Sequence, residues 1–321
     1  MVFATYESAF LRHAIDPETG LIANYKTLRK SSQGDQWEKG NADEFGRLLQ
    51  GNGTTMLTGT NTMKFVDPNA LPKGIKCTYL SLVCAYRTEK EQLYRVRGVV
   101  GGDRLEYDGD CSTKTAALDT VKLHLNHVIS TPNGRHATTD VKDFYLNTPM
   151  EEKDWVYLRI PVDDVPTCIM QHYNPIVKND NVYVVVMKNM YGLKQAGKLA
   201  NDLLQHNLSE HGYYPVPLTQ GLWKHATRPI TFTLVVDNFG IAYNNKADLD
   251  HLLHALSQHY TISTDMKGST YIGLTIEWDY TNHTVHRTCS TAVQSRPSNP
   301  TTAFTAPRRT TNLWQTTTTD T

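Results

Sequence analysis

Apolar side chains return every three or four residues in several stretches of this chain, the spacing that lines one face of an α-helix. Residues 35–49 (DQWEKGNADEFGRLL) put Trp37, Phe45, Leu48 and Leu49 on such a face, and Gly51 follows as a stop. Residues 115–130 carry Leu118, Val121, Leu125, Val128 and Ile129 at i, i+3, i+7, i+10 and i+11, the first strong helical repeat. A helix over 199–208 ends at His211-Gly212, and one over 247–260 presents Leu249, Leu252, Leu253, Leu256 and Tyr260 together.

Elsewhere the period shortens to two or the apolar run is continuous, which predicts strands. They are expected over 77–86 and 94–100, joined by a charged turn at 87–91, then over 137–141, 156–160 and 182–188. A hairpin follows in FTLVVDNFGIAY (232–243), and a last strand over 271–278. Residues 58–71, rich in Thr, Asn and Pro, read as loop with one short strand. From Ala137 the order strand, helix, hairpin, helix, strand is that of the split βαβ unit, an α+β fold in which an antiparallel sheet carries its helices on one face. That order lets the strand holding Asp140 lie beside the hairpin holding Asp237.

The two ends lack such patterns. Residues 1–34 are mixed and polar and are expected to hold little fixed structure; residues 288–321 contain twelve threonines and no apolar period, and are expected to be disordered. The predicted organisation is a poorly ordered 1–34, a region of helix and strands over 35–136, the main sheet over 137–286 with an insertion at about 150–190, and a Thr-rich tail over 287–321.

Composition adds limits rather than direction. Of 321 residues, 39% are hydrophobic and 20% charged, and Lys plus Arg equals Asp plus Glu at 32 each, so no global field selects nucleic acid or membrane. A modest basic segment spans Lys73 to Arg104. The five cysteines show no CxxC spacing, which argues against a zinc site and against a disulfide framework. No apolar run reaches membrane-spanning length and no signal peptide opens the chain, so a cytoplasmic or nuclear protein, not secreted and without a membrane partner, is expected.

Asp237 and Asn238 interrupt the most strand-like run of the sequence. A carboxylate there is costly unless it is paired or binds metal, or unless both residues simply occupy a turn. Two carboxylates meeting at a sheet edge can share two divalent cations for in-line phosphoryl transfer. Three motifs favour this chemistry: TTDVKDFYLNTPM (138–150), YGLKQAGKLAND (191–202) and LVVDNFG (234–240). In this order they resemble motifs A, B and C of the reverse transcriptase in copia-type LTR retrotransposons. The likeness covers about residues 36–285, including YRVRGVVGGDR (94–104) in the fingers.

The resemblance implies a polymerase palm with fingers and a truncated or missing thumb, two magnesium ions or manganese in their stead, an RNA or DNA template with primer, and deoxynucleoside triphosphates. Asp140 then matches the motif A metal ligand, with the carbonyl of Val141 beside it, and Asp237 matches the first acid of motif C. Tyr145 matches the aromatic gate against a ribose 2′-hydroxyl. Gln195 and Gly197 would lie along nucleotide and template, with Lys194 or Lys198 near phosphate. Arg95 or Arg97 matches the cation that clamps the triphosphate, and Lys267 the general acid for pyrophosphate. Residues 271–280 resemble the segment that grips the primer end. The family has a second Asp where this chain has Asn238, so the alternative is a non-catalytic relic that keeps the fold and at most binds nucleic acid. A shift in character near His286 fits a frame change or decay.

Overall fold

The computed structural model describes residue 14 and residues 20–87 and 92–289. Helix α1 (Tyr25–Leu28) is a single turn whose cap, Asn24, accepts a hydrogen bond from the Thr27 amide. It buries Tyr25 and Leu28 in a cluster with Trp37 of α2 (Gly34–Leu48). Residues 24–33, expected to lack fixed structure, are therefore held by the apolar face of the next helix, which a one-turn segment is too short to announce by periodicity.

Strand β1 (Met63–Phe65) precedes the antiparallel pair β2 (Leu80–Tyr86) and β3 (Tyr94–Val100); positions 88–91 of the expected charged turn lie outside the described residues. Helix α2 covers the outer edge of β3. Glu44 Oε1 accepts from the Gly98 amide at 2.9 Å, and a Cβ on Gly40 would fall 2.4 Å from the Tyr94 carbonyl oxygen. An edge that would otherwise invite pairing is thereby closed.

Helix α3 (Leu118–Ser130) starts later than its repeat suggested: the Ala116 amide donates to the Leu234 carbonyl at 2.8 Å, and the cap residue Ala117 is extended. Leu118 is consequently exposed. The chain continues through β4 (Arg135–Val141), β5 (Val156–Pro161), α4 (Thr167–Tyr173), β6 (Asn181–Val186) and α5 (Ala196–Ser209). After these come β7 (Tyr213–Pro215), β8 (Leu222–His225), β9 (Ile230–Val235), β10 (Asn238–Tyr243), α6 (Lys246–Ser257), β11 (Ile262–Asp265), β12 (Thr270–Tyr271), β13 (Leu274–Asp279) and β14 (Thr284–Cys289).

The main sheet has the order β11-β4-β10-β9-β8-β7, antiparallel throughout. Within it β4, α5, the β9–β10 hairpin, α6 and β11 follow the split βαβ order. Alternation along the strands sorts the side chains. Ala137, Val141, Phe232, Leu234, Phe239 and Ile241 pack with Ala200, Leu204, Leu249 and Leu252 of α5 and α6. The opposite side carries His136, Thr138 and Asp140 from β4.

Helices occupy both faces of this sheet, a correction to the one-faced arrangement. Helix α3 covers the second face through Val121 and Leu125, which cluster with Tyr271 and Ile276. Residues 271–278 were expected to close the main sheet; they instead form the separate sheet β12-β13-β14 on that second face. The closing strand is β11, whose four residues ISTD are too short and too polar to register as a strand by pattern. Gly240 makes room for this layer: a Cβ there would lie 2.8 Å from the Tyr271 ring, whose hydroxyl donates to the Thr233 carbonyl at 2.9 Å.

Strand β14 pairs Arg287 with Ile276 and Cys289 with Leu274. The boundary placed at residues 286–287 therefore falls inside a strand, since backbone pairing to β13 needs no apolar period. Residues 290–321, the rest of the expected disordered tail, lie outside the described residues.

Two histidines under the second face set a pH limit on the fold. His124 and His136 are buried, His124 facing the Thr231 hydroxyl at 3.0 Å and the His136 ring tilted against Trp278 with centroids 4.9 Å apart. Burial depresses the pKa of His124 to about 3 and of His136 to about 4. Both are neutral in the fold, whereas the unfolded chain protonates them near 6.5. Stability present above that value is lost as pH falls toward 4. At pH 5 the loss should be about 2 kcal/mol per histidine, read as a lower urea midpoint at pH 5 than at pH 7, with His124→Gln removing about half of the difference. A midpoint flat across this range would show that neither ring is held neutral.

Candidate active site

The β9–β10 hairpin turns through two residues, Val236 and Asp237. Val236 has φ of 60°, at a position such turns normally fill with Gly or Asn. A β-branched residue in that conformation costs about 1–3 kcal/mol, a strain that concentrates at functional sites. Its effect is to hold Asp237 at the tip.

Asn238 then opens β10 directly opposite Asp140, the penultimate residue of β4. Antiparallel partners of this kind bring their β-carbons to about 5 Å. The Val141 amide donates to the Asp237 carbonyl at 3.0 Å, which fixes the turn against the end of β4. Asn238 Nδ2 donates to Asp237 Oδ1 at 2.8 Å. Asp140 is exposed, and Asp237 and Asn238 are half-buried. One end of the sheet thus gathers two carboxylates and an amide, with Val141 buried behind them. Among the described residues no three His, Cys, Asp or Glu side chains form a group that could hold a metal ion.

Beyond β4 the chain makes a left-handed step at Asp143, φ 55°, before the short turn that carries Tyr145. Tyr145 meets Tyr191 edge to face at 5.2 Å, and the Arg97 guanidinium lies 4.2 Å from the centre of the Tyr191 ring. Arg97 therefore joins the Tyr145 platform. Arg95 instead donates to Gln92 Oε1 at 3.0 Å and has its Nε buried without a partner. Burial, and after it the charge of Arg47, push the Arg95 pKa down to about 10, with Arg97 and Arg87 adding to the shift and Glu44 opposing it.

The remaining sequence-derived residues divide. Gln195 is buried just before α5, and Gly197 lets Thr113 approach, since a Cβ would sit 2.3 Å from its hydroxyl. Lys194 Nζ donates to the Leu105 carbonyl at 2.7 Å, and Lys198 pairs with Asp202. Lys267 is not brought to the carboxylates. Strand β11 pairs Ser263 with Asp140 and then runs back along β4, so that Lys267 lines a cavity with Arg135, His136, Tyr243 and Tyr280. His136 is four residues from Asp140 on one strand, or about 13 Å.

Four contributors escape the sequence pattern: Glu44, Arg47, Asp143 and Tyr191. Arg47 bonds Glu44 through Nε at 3.0 Å and through Nη2 at 2.7 Å, and reaches Asp143 through Nη1. Burial alone would weaken the charge of Arg47, but Glu44 and Asp143 more than offset it and its pKa is raised. The i, i+3 spacing of Glu44 and Arg47 on a predicted helix was legible, and Asp143 and Tyr191 lay inside the quoted motifs without a role of their own.

A protein of α+β class with acids converging at one sheet end is compatible with several chemistries, and comparison with known families selects among them. The family model described as reverse transcriptase (RNA-dependent DNA polymerase) matches residues 61–293, well over half of the chain. The chain belongs to the reverse transcriptase family. No helix among the described residues is long and apolar enough to cross a membrane.

Proposed function

We propose that this chain is the RNA-directed DNA polymerase domain of a copia-type LTR retrotransposon Pol polyprotein, with a weakened catalytic site. The observation that carries this reading is the register that sets Asn238 against Asp140 while Asn238 also bonds Asp237. The main sheet serves as the palm, and the β2–β3 pair with the β1-β6-β5 sheet as the fingers. An RNA or DNA template with its primer and deoxynucleoside triphosphates are the substrates.

The donors at the sheet end are all oxygens and few, which suits magnesium completed by water and substrate phosphates. Asp140, Asp237 and the Val141 carbonyl would hold it, and when bound it would neutralise charge on the phosphates and acidify the attacking hydroxyl. The residues of the chain do the rest. Arg97 offers its guanidinium to the triphosphate, as oriented cations stabilise phosphoryl transfer. Tyr145, braced by Tyr191, stands where a 2′-hydroxyl would crowd its ring. The primer 3′-oxygen forms its bond to the α-phosphorus as pyrophosphate leaves.

Asn238 supports a second reading, a relic that only binds nucleic acid. Its amide satisfies Asp237 with a neutral hydrogen bond where a second carboxylate would have required a cation. Primer extension on an RNA template with magnesium separates the two: the polymerase reading expects synthesis from the Asn238→Asp form that disappears in Asn238→Asp with Asp237→Ala. Synthesis that survives the loss of Asp237 would place the chemistry elsewhere.

In the active form, Tyr145→Ala should narrow the preference for deoxynucleotides over ribonucleotides by about tenfold, the loss of roughly 1.4 kcal/mol of discrimination. Competitive incorporation of the two sugars at one template position measures it. An unchanged ratio would mean the ring lies away from the sugar.

A further inference from the structure

Arg47 belongs to a helix that the family match, beginning at residue 61, does not include. It nevertheless makes the densest set of charged contacts near the site. Glu44 fastens one end of this cluster to β3, since its Oε1 accepts the Gly98 amide next to Arg97. Asp143 fastens the other end to the three-residue step between Val141 and Tyr145. The same step is closed from inside by Asn147, whose Nδ2 donates to the Lys142 and Asp143 carbonyls at 3.1 Å.

We propose that Arg47 is a positioning residue for sugar selection: through the Glu44–Arg47–Asp143 strut it fixes the distance between Arg97 on the hairpin and Tyr145 on the palm. This rests on the polymerase reading above. Arg97 and Tyr145 both rest against the Tyr191 ring, and they come from elements that share no strand pairing. A ring can discriminate one hydroxyl only if the triphosphate is anchored at a fixed distance from it, because a misplacement of about 1 Å is enough to lose positional selectivity. The strut is the short, buried connection between the two anchors. Its side chains are mostly covered, at 12% for Arg47, 2% for Glu44 and 16% for Asp143, so water screens it less than an exposed ion pair. Arg47 itself touches neither sugar nor phosphate in this scheme.

The test uses the full chain in a dead-end complex with an RNA template and a primer ending in a dideoxynucleotide, so that no turnover is needed. The next complementary dNTP or rNTP is titrated with magnesium, and the concentration that stabilises the complex is read for each. Asp143→Gly, which suits the φ of 55° there and keeps no side-chain acceptor, cuts the strut while leaving Arg47 on Glu44; Arg47→Met removes it. Both should reduce the dNTP-to-rNTP affinity ratio by about tenfold, as expected for removal of a coupled contact. Val121→Ala, a core change outside the strut, should lower the melting temperature and leave the ratio unchanged. A ratio that stays with Asp143→Gly, or that falls equally with Val121→Ala, overturns the proposal. If the unsubstituted chain retains neither nucleotide, the polymerase reading itself fails and the strut falls with it.

Discussion

Asn238→Asp should raise magnesium-dependent primer extension by about a hundredfold or more over the chain as it stands. The argument is electrostatic. Asn238 faces Asp140 across one rung of the ladder and donates to Asp237 Oδ1 at 2.8 Å. In this arrangement the amide proton occupies carboxylate density that a cation would otherwise use. The site therefore presents two negative charges where the aspartate form presents three. In a cleft partly shielded from water a single charge opposite a divalent ion is worth several kcal/mol. Even about 3 kcal/mol of transition-state stabilisation corresponds to a rate factor above a hundred. The substitution changes no volume and removes one hydrogen bond, so the fold should tolerate it while gaining affinity for magnesium. Comparing extension rates over a magnesium titration for the two forms checks this. Equal rates at saturating magnesium would show that residue 238 is not the defect and would favour the non-catalytic reading.

How much of this was legible beforehand follows from the range of the forces involved. The β9–β10 hairpin and helices α2, α3, α5 and α6 came through because a core face imposes its period on the sequence directly. The approach of the Asp140 strand to the Asp237 turn also followed, since the order of elements leaves few ways to pair them. Strand β11 did not, because Ser263 to Asp265 are ordered by pairing with β4 and not by burial of their own side chains. The single turn Tyr25–Leu28 is likewise ordered by Trp37, from outside itself. The choice between Arg95 and Arg97 lay beyond the sequence for a related reason. The two alternate onto the same side of β3, and only the arrival of Tyr191 from a distant segment separates them. The position of Lys267 likewise depends on which way β11 runs past Asp140.

Gly192→Ala should be among the most damaging single substitutions in the chain, at about 5 kcal/mol. Gly192 has φ of 94°, and a Cβ built there would lie 2.0 Å from the Val100 carbonyl oxygen and 2.8 Å from the Val100 nitrogen. Both are backbone atoms at the end of β3 and cannot swing aside. The Val100 amide donates to the Tyr191 carbonyl at 2.8 Å, and a Cβ on Gly102 would meet the Gly192 carbonyl at 2.0 Å. Two backbones therefore dock here with nothing between them. An added methyl must strain the torsion, at about 1–3 kcal/mol, and break the buried hydrogen bond from the Val100 amide, at about 1–3 kcal/mol, as well as forcing the segments apart. That sum is a large part of an ordinary domain stability of roughly 5–15 kcal/mol. Gly74 supplies the control, because its φ is also positive, at 79°, while nothing lies within 4 Å of its would-be Cβ. Gly74→Ala should cost only the torsional strain, about 1 kcal/mol. Urea midpoints of the two variants isolate the docking contribution, and near-equal midpoints would mean that β3 and the Tyr191 segment are not in backbone contact. Because Tyr191 is the residue before Gly192 and carries both Tyr145 and Arg97 on its ring, any folded Gly192→Ala protein should also lose sugar selectivity. Gly74→Ala should keep it.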